Sequence, residues 1–186
     1  MISREVQALK GALAGFIPAQ RLIDDPLRTL AYGTDASFYR LVPQLVVKVE
    51  TEDEVSRLLR LAQQFRTPVT FRAAGTSLSG QAITDSVLVM LDGNAWRDYS
   101  VSEDASHIRL QPGIIGSQAN LYLADLGRKI GPDPASIATC KIGGIAANNA
   151  SGMCCGLAQN SYQTLASMRL ILADGSIVDT GDAASR

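Results

Sequence analysis

Apolar and polar positions recur along this chain at two periods, and the change from one to the other marks out its elements. Val6, Leu9, Leu13 and Phe16 fall at helical spacing, and Gly15 with Pro18 closes that helix, so an outer amphipathic helix is predicted near the N-terminus. Leu45-Val46-Val47-Lys48-Val49 is a short apolar run of strand type. Thr51 and Glu54 follow it as a capping box for a helix that gathers Val55, Leu58, Leu59, Ala62 and Phe65 on its buried side. Pro68-Val69-Thr70-Phe71 then returns as a second strand. Strand, crossover helix and strand make a βαβ unit, whose handedness sets the two strands parallel with the helix over one face. Val87-Leu88-Val89-Met90-Leu91 supplies a further buried strand.

After Trp96 the segments shorten. Tyr99-Ser100-Val101 and Ile108-Arg109-Leu110 are strand candidates around polar turns, which implies a mixed or antiparallel second lobe. Pro112-Gly113 leads into a helix with Ile115, Ala119, Tyr122 and Leu126 on one face, closed by Gly127. Near the end, Met168 to Leu172 and Ser176 to Asp179 flank Asp174-Gly175, a hairpin signal. The predicted class is α+β: a small parallel βαβ lobe and a mixed or antiparallel sheet lobe flanked by helices. A helical N-terminal segment covers 1–40 and the main domain 41–186.

Composition narrows the classes of function. The chain has 186 residues, 46% hydrophobic and 19% charged, enough for a real core. A net charge of −1 gives no electrostatic case for nucleic acid or an anionic membrane. No apolar run approaches the roughly 18 residues of a membrane span, and Met1-Ile2-Ser3-Arg4 leads into an amphipathic helix and not a secretory signal. The expected location is cytoplasmic, with peripheral docking at the inner membrane left open. Cys140, Cys154 and Cys155 cannot all pair, which favours a reducing compartment. His107, in a segment that reads as a strand, adds too little to them for zinc or an iron–sulfur cluster, and no metal is expected. The adjacent Cys154-Cys155 pair reads as small buried residues, with redox sensing as the alternative.

The candidate chemistry lies in Arg72-Ala73-Ala74-Gly75-Thr76-Ser77-Leu78-Ser79-Gly80-Gln81, directly after the second strand. Glycine and small residues let a backbone wrap its N–H groups around an anion, and Thr76, Ser77 and Ser79 add hydroxyl donors. The carboxyl end of a parallel strand is where open α/β sheets place their ligands. Gly75 to Gly80 has the glycine spacing of a nucleoside triphosphate P-loop, but the next residue is Gln81. Without the phosphate-reaching lysine and the magnesium-binding hydroxyl, the loop suits a diphosphate that is held and never cleaved. A structural turn is the alternative.

A second segment runs from Gly131 to Gly152 and contains Pro132-Asp133-Pro134-Ala135-Ser136, Ile142-Gly143-Gly144 and Asn148-Asn149-Ala150-Ser151-Gly152. Few of its side chains are bulky. The two prolines stiffen an extended stretch, and Gly143-Gly144 opens a short helix whose first amides are a second anion-friendly surface. Close helix packing through small residues is the competing reading.

Together, Arg-x-x-Gly-Thr-Ser-Leu-Ser-Gly, Pro-Asp-Pro-x-Ser, Ile-Gly-Gly and Asn-Asn-Ala-Ser-Gly resemble the FAD-binding domain of the vanillyl-alcohol oxidase/p-cresol methylhydroxylase superfamily. Within it the chain is most similar to the flavin-linked D-lactate, glycolate and D-2-hydroxyglutarate dehydrogenases, from about Tyr32 to Asp179. The resemblance implies that Arg72, Ala73, Ala74, Gly75, Thr76, Ser77 and Leu78 surround the FAD diphosphate, with Gly80 and Gln81 finishing the turn. It further implies that Ser136, Cys140, Gly143, Gly144, Asn149, Ser151 and Gly152 approach the diphosphate, ribityl chain or flavin ring. Several relatives attach the flavin through a histidine in the first loop. Thr76 and Ser77 stand there in this chain, so non-covalent FAD is expected, and His107 reads as an ordinary strand residue. Arg72 pairs with a phosphate in one reading and fixes the loop in another.

The segment Tyr32-Gly33-Thr34-Asp35-Ala36-Ser37-Phe38-Tyr39-Arg40 also resembles a family segment near the flavin edge that can face substrate, which would make Asp35 and Arg40 functional, with Arg40 holding a substrate carboxylate. A surface turn with a local ion pair is the alternative and the weightier reading. The implied reaction is oxidation of a D-2-hydroxy acid to its 2-oxo acid, with electrons passing to a further acceptor. No catalytic residue is assigned, because the family's base and carboxylate clamp come mostly from a later cap domain. The chain ends at Gly181-Asp182-Ala183-Ala184-Ser185-Arg186, so the expectation is a portion of a longer enzyme that binds FAD weakly or not at all and turns over no substrate. An FAD-holding subunit and a nucleotide-sensing module are the alternatives from other classes. Cell-wall precursor reductases and molybdenum-hydroxylase flavin subunits share the fold, but Asn148 to Gly152 is closer to the hydroxy-acid branch.

Overall fold

The computed structural model describes residues 2–91 and 94–185. Two strands form the centre of its main sheet, β2 (Leu45–Val49) and β4 (Val87–Leu91). Leu45, Val46, Val47, Val49, Val87, Leu88 and Val89 are all 0% exposed, the signature of strands covered on both faces. Each such side chain stabilises the fold by about 1.5–3 kcal/mol through burial. Between them in sequence come α3 (Glu52–Gln64) and β3 (Val69–Arg72). β4 inserts between β2 and β3, parallel to both, so the strands of the βαβ unit are not neighbours. β4 is apolar throughout and takes the central place. β3, with Phe71 41% exposed, goes to the edge. At the other edge β1 (Leu22–Ile23) pairs antiparallel with β2, placing Leu22 opposite Val47.

The first helix, α1 (Arg4–Leu13), is capped by the Ser3 hydroxyl and buries Val6, Leu9 and Leu13. Because it ends at Leu13, Ile17 is the next buried residue in place of Phe16, whose ring lies under the Arg57 guanidinium at 3.7 Å. A short helix, α2 (Pro26–Ala31), follows β1. The capping box of α3 is only half formed. Thr51 Oγ1 accepts the Glu54 N–H at 3.1 Å, but the Glu54 carboxylate accepts from the Glu50 N–H at 2.7 Å and from both Arg21 terminal nitrogens at 2.6 and 2.8 Å. A charged, two-pronged donor outcompetes a single peptide N–H. On the inner side of α3, Val55, Leu58, Leu59 and Ala62 are buried as expected, while Phe65 is only half-buried.

Contacts divide the chain into two compact units, Met1–Asp92 with Arg169–Arg186, and Gly93–Met168. In the first, the hairpin β7 (Arg169–Ile171) and β8 (Ile177–Asp179) turns at Gly175, where φ is +77°. α3 holds it: Ser56 donates to the Gly175 carbonyl, Arg60 Nη2 reaches the same oxygen at 3.2 Å, and Arg169 pairs with Glu52 at 2.9 Å. The second unit contains the antiparallel pair β5 (Tyr99–Val101) and β6 (Ile108–Leu110) and the helices α4 (Gly116–Ala124), α5 (Ile142–Ala147) and α6 (Ser161–Thr164). α4 buries Gly116, Ala119 and Leu123, and Tyr122 stacks on Tyr99 with ring centroids 3.8 Å apart. Leu126, expected on that face, is exposed because the helix stops at Ala124 and the chain reverses at Gly127, φ +63°.

Candidate functional site

β3 ends at Arg72, and the loop that leaves it has the properties an anion requires. Gly75 and Gly80 adopt φ of +72° and +69°, a conformation that favours glycine. Gly80 also lies against Tyr39, whose Cδ2 would stand 3.0 Å from an added Cβ. Among the described residues, the N–H groups of Gly75, Thr76, Ser77, Leu78 and Gly80 have no acceptor within the protein. A series of uncommitted amides on one short loop forms an anion-binding concavity. Ser77 is not among its free hydroxyl donors. Its Oγ donates to Gln81 Oε1 at 3.0 Å and accepts from the N–H groups of Ser79 and Gln81, folding the second half of the loop back on itself. A cleft of about 320 Å³ lined by Tyr39, Arg40, Leu41, Ser79, Gly80 and Ile83 adjoins this end.

Both loop ends are anchored from beneath. Arg72 is 6% exposed, and its Nε donates to the Ala82 carbonyl at 2.8 Å, so of its two sequence readings the loop-fixing one is realised. Its Nη2 is buried and has no partner. Burial lowers the affinity of Arg72 for its proton, opposed by the nearby Asp35 and Tyr32. Asp35 Oδ2 accepts the Ala82 N–H at 3.4 Å, and the Ala36 N–H donates to the Gly75 carbonyl at 3.0 Å. Asp35 Oδ1 takes both the Ser37 N–H at 2.9 Å and the Ser37 hydroxyl at 2.5 Å. Burial pushes the Asp35 carboxyl up, but the Ser37 donors, the Ala82 N–H and the Arg72 charge together hold it below the usual value. The turn around Asp35, weighed from sequence as a surface feature with a local ion pair, is instead a support of the loop. Its signal was there in the Asp-x-Ser spacing of an Asx turn. Arg40 is exposed and bridges Thr34.

In the second unit the small residues are occupied largely by the protein itself. A Cβ on Gly152, at φ +141°, would overlap the Asp133 carbonyl, and one on Gly143 would stand 2.8 Å from Pro112 Cβ. The first two amides of α5 are also engaged: Ile142 N–H donates to the Ile114 carbonyl at 2.8 Å and Gly143 N–H to that of Pro112 at 3.0 Å. Those two amides are taken up within the protein, whereas the N–H of the third helical residue, Gly144, has no acceptor among the described residues. Ser151 is joined to Asp133 by its carbonyl, and Asn149, φ +44°, accepts the Tyr162 N–H at 3.0 Å. The Ser136 carbonyl accepts the N–H of Cys140, whose thiol is buried. Gly144 is exposed. Cys155 is buried as expected, but its neighbour Cys154 is exposed, because the turn between Gly152 and Gly156 points successive side chains apart. His107 is exposed in the turn before β6, its Nδ1 2.7 Å from Ser106 Oγ.

The donor-rich loop fits the diphosphate of the FAD that the resemblance implies: uncommitted amides, left-handed glycines and a buried cation lie together at the end of a parallel strand. Comparison with known proteins agrees. A family model described as "FAD binding domain" matches residues 43–181. D-2-hydroxyglutarate dehydrogenase of Escherichia coli (strain K12) is 29% identical over 154 residues, which cover 81% of this chain and 15% of that enzyme. Glycolate oxidase subunit GlcD of the same organism is 31% identical over 146 residues, 77% of this chain and 29% of the subunit. The chain thus corresponds to a minor part of the length of either relative. Among solved structures, an alkyldihydroxyacetonephosphate synthase superposes with a TM-score of 0.79 at 20% identity, over 93% of this chain and 34% of that one, which shows a common fold. No helix among the described residues is long and apolar enough to cross a membrane. With the match running from Pro43 to Gly181 and taking in both the loop after β3 and the segment around α5, the chain belongs to the FAD-binding domain family of the p-cresol methylhydroxylase type, and FAD is its cofactor.

Proposed function

We propose that this chain is the FAD-holding part of a flavin-dependent dehydrogenase that oxidises a D-2-hydroxy acid of the lactate, glycolate or 2-hydroxyglutarate type to the 2-oxo acid. The observation that carries the reading is the run of unpaired amides from Gly75 to Leu78 at the end of β3. Bound FAD would supply the acceptor for a hydride from the substrate α-carbon. The chain's own task is to bind and orient. The backbone of Arg72 to Leu78 surrounds the diphosphate, with Gly80 and Gln81 finishing the turn, and Ser136, Cys140, Gly143, Gly144, Asn149, Ser151 and Gly152 approach the diphosphate, ribityl chain or flavin ring. The cofactor is held non-covalently, since Thr76 and Ser77 stand where some relatives carry an attached histidine. The substrate class is supported by the names of the two curated relatives, a D-2-hydroxyglutarate dehydrogenase and a glycolate oxidase subunit.

By itself the 186-residue chain should bind FAD weakly or not at all and turn over no acid. Titration followed by flavin fluorescence tests the first part. Gly75→Val, which places a β-branched residue at φ +72°, should abolish binding, and unchanged affinity would remove the loop from the site. Supplying D-lactate, glycolate and D-2-hydroxyglutarate with a dye acceptor tests the second. Turnover by this chain would show that the catalytic groups lie within it. In a longer, FAD-loaded form, reduction of the flavin by one of these acids supports the dehydrogenase reading, and FAD binding with none of them active leaves an FAD-holding module.

A further inference from the structure

The first half of the loop after β3 has little of its own to hold its shape, since the Ser77 bonds tie only the second half. Its amides from Gly75 to Leu78 form no bonds within the protein, and its glycines populate other conformations readily. A chain with so few internal ties would lose entropy on closing round an anion, unless its ends were already fixed. They are fixed, by residues from elsewhere in sequence. Ala82 is held through both of its peptide groups: its carbonyl accepts from Arg72 Nε at 2.8 Å and its N–H donates to Asp35 Oδ2 at 3.4 Å. The carbonyl of Gly75 accepts from the Ala36 N–H at 3.0 Å. A single dipeptide, Asp35-Ala36, therefore grips the loop at its beginning and at its end.

The charges make this grip more than a spacer. Arg72 runs directly beneath Gly75, with Cδ and Nε 3.4 and 3.5 Å from where a glycine Cβ would be. Its Nη2 is screened from solvent and unpartnered, an arrangement that native proteins rarely leave without a use. The atom is too deeply covered to touch a ligand. Its positive charge lies close against the peptide layer of the loop at Gly75. Asp35 provides the opposite charge that lets the guanidinium remain buried. The Ser37 N–H and hydroxyl, at 2.9 and 2.5 Å, fix the carboxylate and direct its second oxygen toward Ala82.

We infer that Asp35 is a positioning residue for the cofactor diphosphate: with the buried Arg72 it holds the ends of the 73–81 loop so that the loop amides are preorganised for a pyrophosphate group. The inference rests on the reading that this loop binds the diphosphate of FAD. It assigns a role to a residue that touches no cofactor, and it predicts a defect confined to the phosphate-bearing part of the ligand.

The test compares FAD with riboflavin, which has the same ring but no phosphate, by fluorescence titration of the 186-residue chain, or of a longer, FAD-binding form where the shorter one binds neither ligand. Wild-type protein should prefer FAD, and absence of a preference would overturn the diphosphate reading itself, whatever the variants do. Given that preference, Asp35→Asn should weaken FAD binding about tenfold and leave riboflavin affinity unchanged. Equal losses for both ligands, or unchanged FAD affinity, would overturn the positioning role. If Asp35→Asn does not reach a native far-UV circular dichroism spectrum, Ser37→Ala decides the matter. It keeps the carboxylate and removes the 2.5 Å donor, so about a threefold loss selective for FAD is expected. A Ser37→Ala protein that binds both ligands like wild type would equally overturn the inference.

Discussion

Glu54→Gln should destabilise this fold several times more than Glu52→Gln, although each removes one carboxylate from the first turn of α3. The difference lies in burial. The Glu54 and Arg21 side chains are 12% and 16% exposed, whereas Glu52 and Arg169 are each 41% exposed. Glutamine preserves the volume of Glu54 and one acceptor oxygen but removes the charge and ends the two-pronged contact at 2.6 and 2.8 Å, setting an amide NH2 against the guanidinium, which keeps the Lys48 carbonyl at 3.2 Å and the Glu50 carboxylate at 3.3 Å. Removing one partner of a fully buried pair costs about 3–5 kcal/mol, and the partial exposure of Arg21 together with these remaining acceptors places Glu54→Gln below that, at about 2 kcal/mol. An exposed pair contributes only about 0–1 kcal/mol. The interaction with the helix N-terminus, about 0.3–1 kcal/mol, is common to both substitutions and cancels in the comparison.

Urea titration followed by far-UV circular dichroism would measure both changes, and pH supplies an independent check. Burial pushes the Glu54 carboxyl up, but the Arg21 hydrogen bond, the Glu50 N–H and the Arg21 charge outweigh it and hold the group below its ordinary value. A carboxyl lowered on folding stabilises fully above its unfolded pKa, about 4.3, and loses that contribution as pH falls through its folded value. Arg21 remains charged throughout. The gap between wild type and Glu54→Gln should therefore be widest near neutral pH and shrink on acidification below about pH 4. A cost at Glu54 no larger than at Glu52, or a gap that persists in acid, would refute the reasoning.

Other consequences are open to simpler measurement. Gly152→Ala should destabilise the Gly93–Met168 unit by about 2 kcal/mol or more, because its Cβ meets the Asp133 carbonyl at a strained φ, and the single tryptophan, Trp96, reports that unit by fluorescence. Gly127→Ala, at φ +63° with open space around it, should cost only about 1 kcal/mol by the same probe. In the native protein a thiol reagent should modify the exposed Cys154 quickly and reach Cys140 and Cys155 only on unfolding, and three equally fast thiols would contradict the packing. FAD affinity should be level from neutral pH down to the ordinary aspartate range near 3.9 as far as Asp35 is concerned, then fall as that carboxyl is protonated, and Asp35→Asn should lack this fall.

Much of the fold is readable because its determinants are local. The runs at 45–49, 69–72 and 87–91, the cap at Thr51 and the Asp174-Gly175 turn each lie within a few residues and become the elements their pattern predicts. Sequence fails where a residue must choose between partners. Glu54 leaves its own helix cap for Arg21, 33 residues away. β4 takes the position between β2 and β3 because pairing on both sides suits the most apolar strand. Gly143 and Gly152 also pack closely on Pro112 and Asp133, contacts between distant segments that the motif by itself does not disclose.

The same division runs through the candidate site. The sequence alone marked the loop at 72–81 as the candidate place for a bound diphosphate, through glycine spacing, small residues and the lysine it lacks, and through its resemblance to a flavin-binding family it determined the cofactor. Only the tertiary structure decided how that loop is held: Arg72 beneath it and Asp35 joined to Ala82 across 47 residues. The physical reason is that backbone conformation responds to neighbours within a turn or two, whereas a buried charge finds its partner only after the core has brought distant segments together.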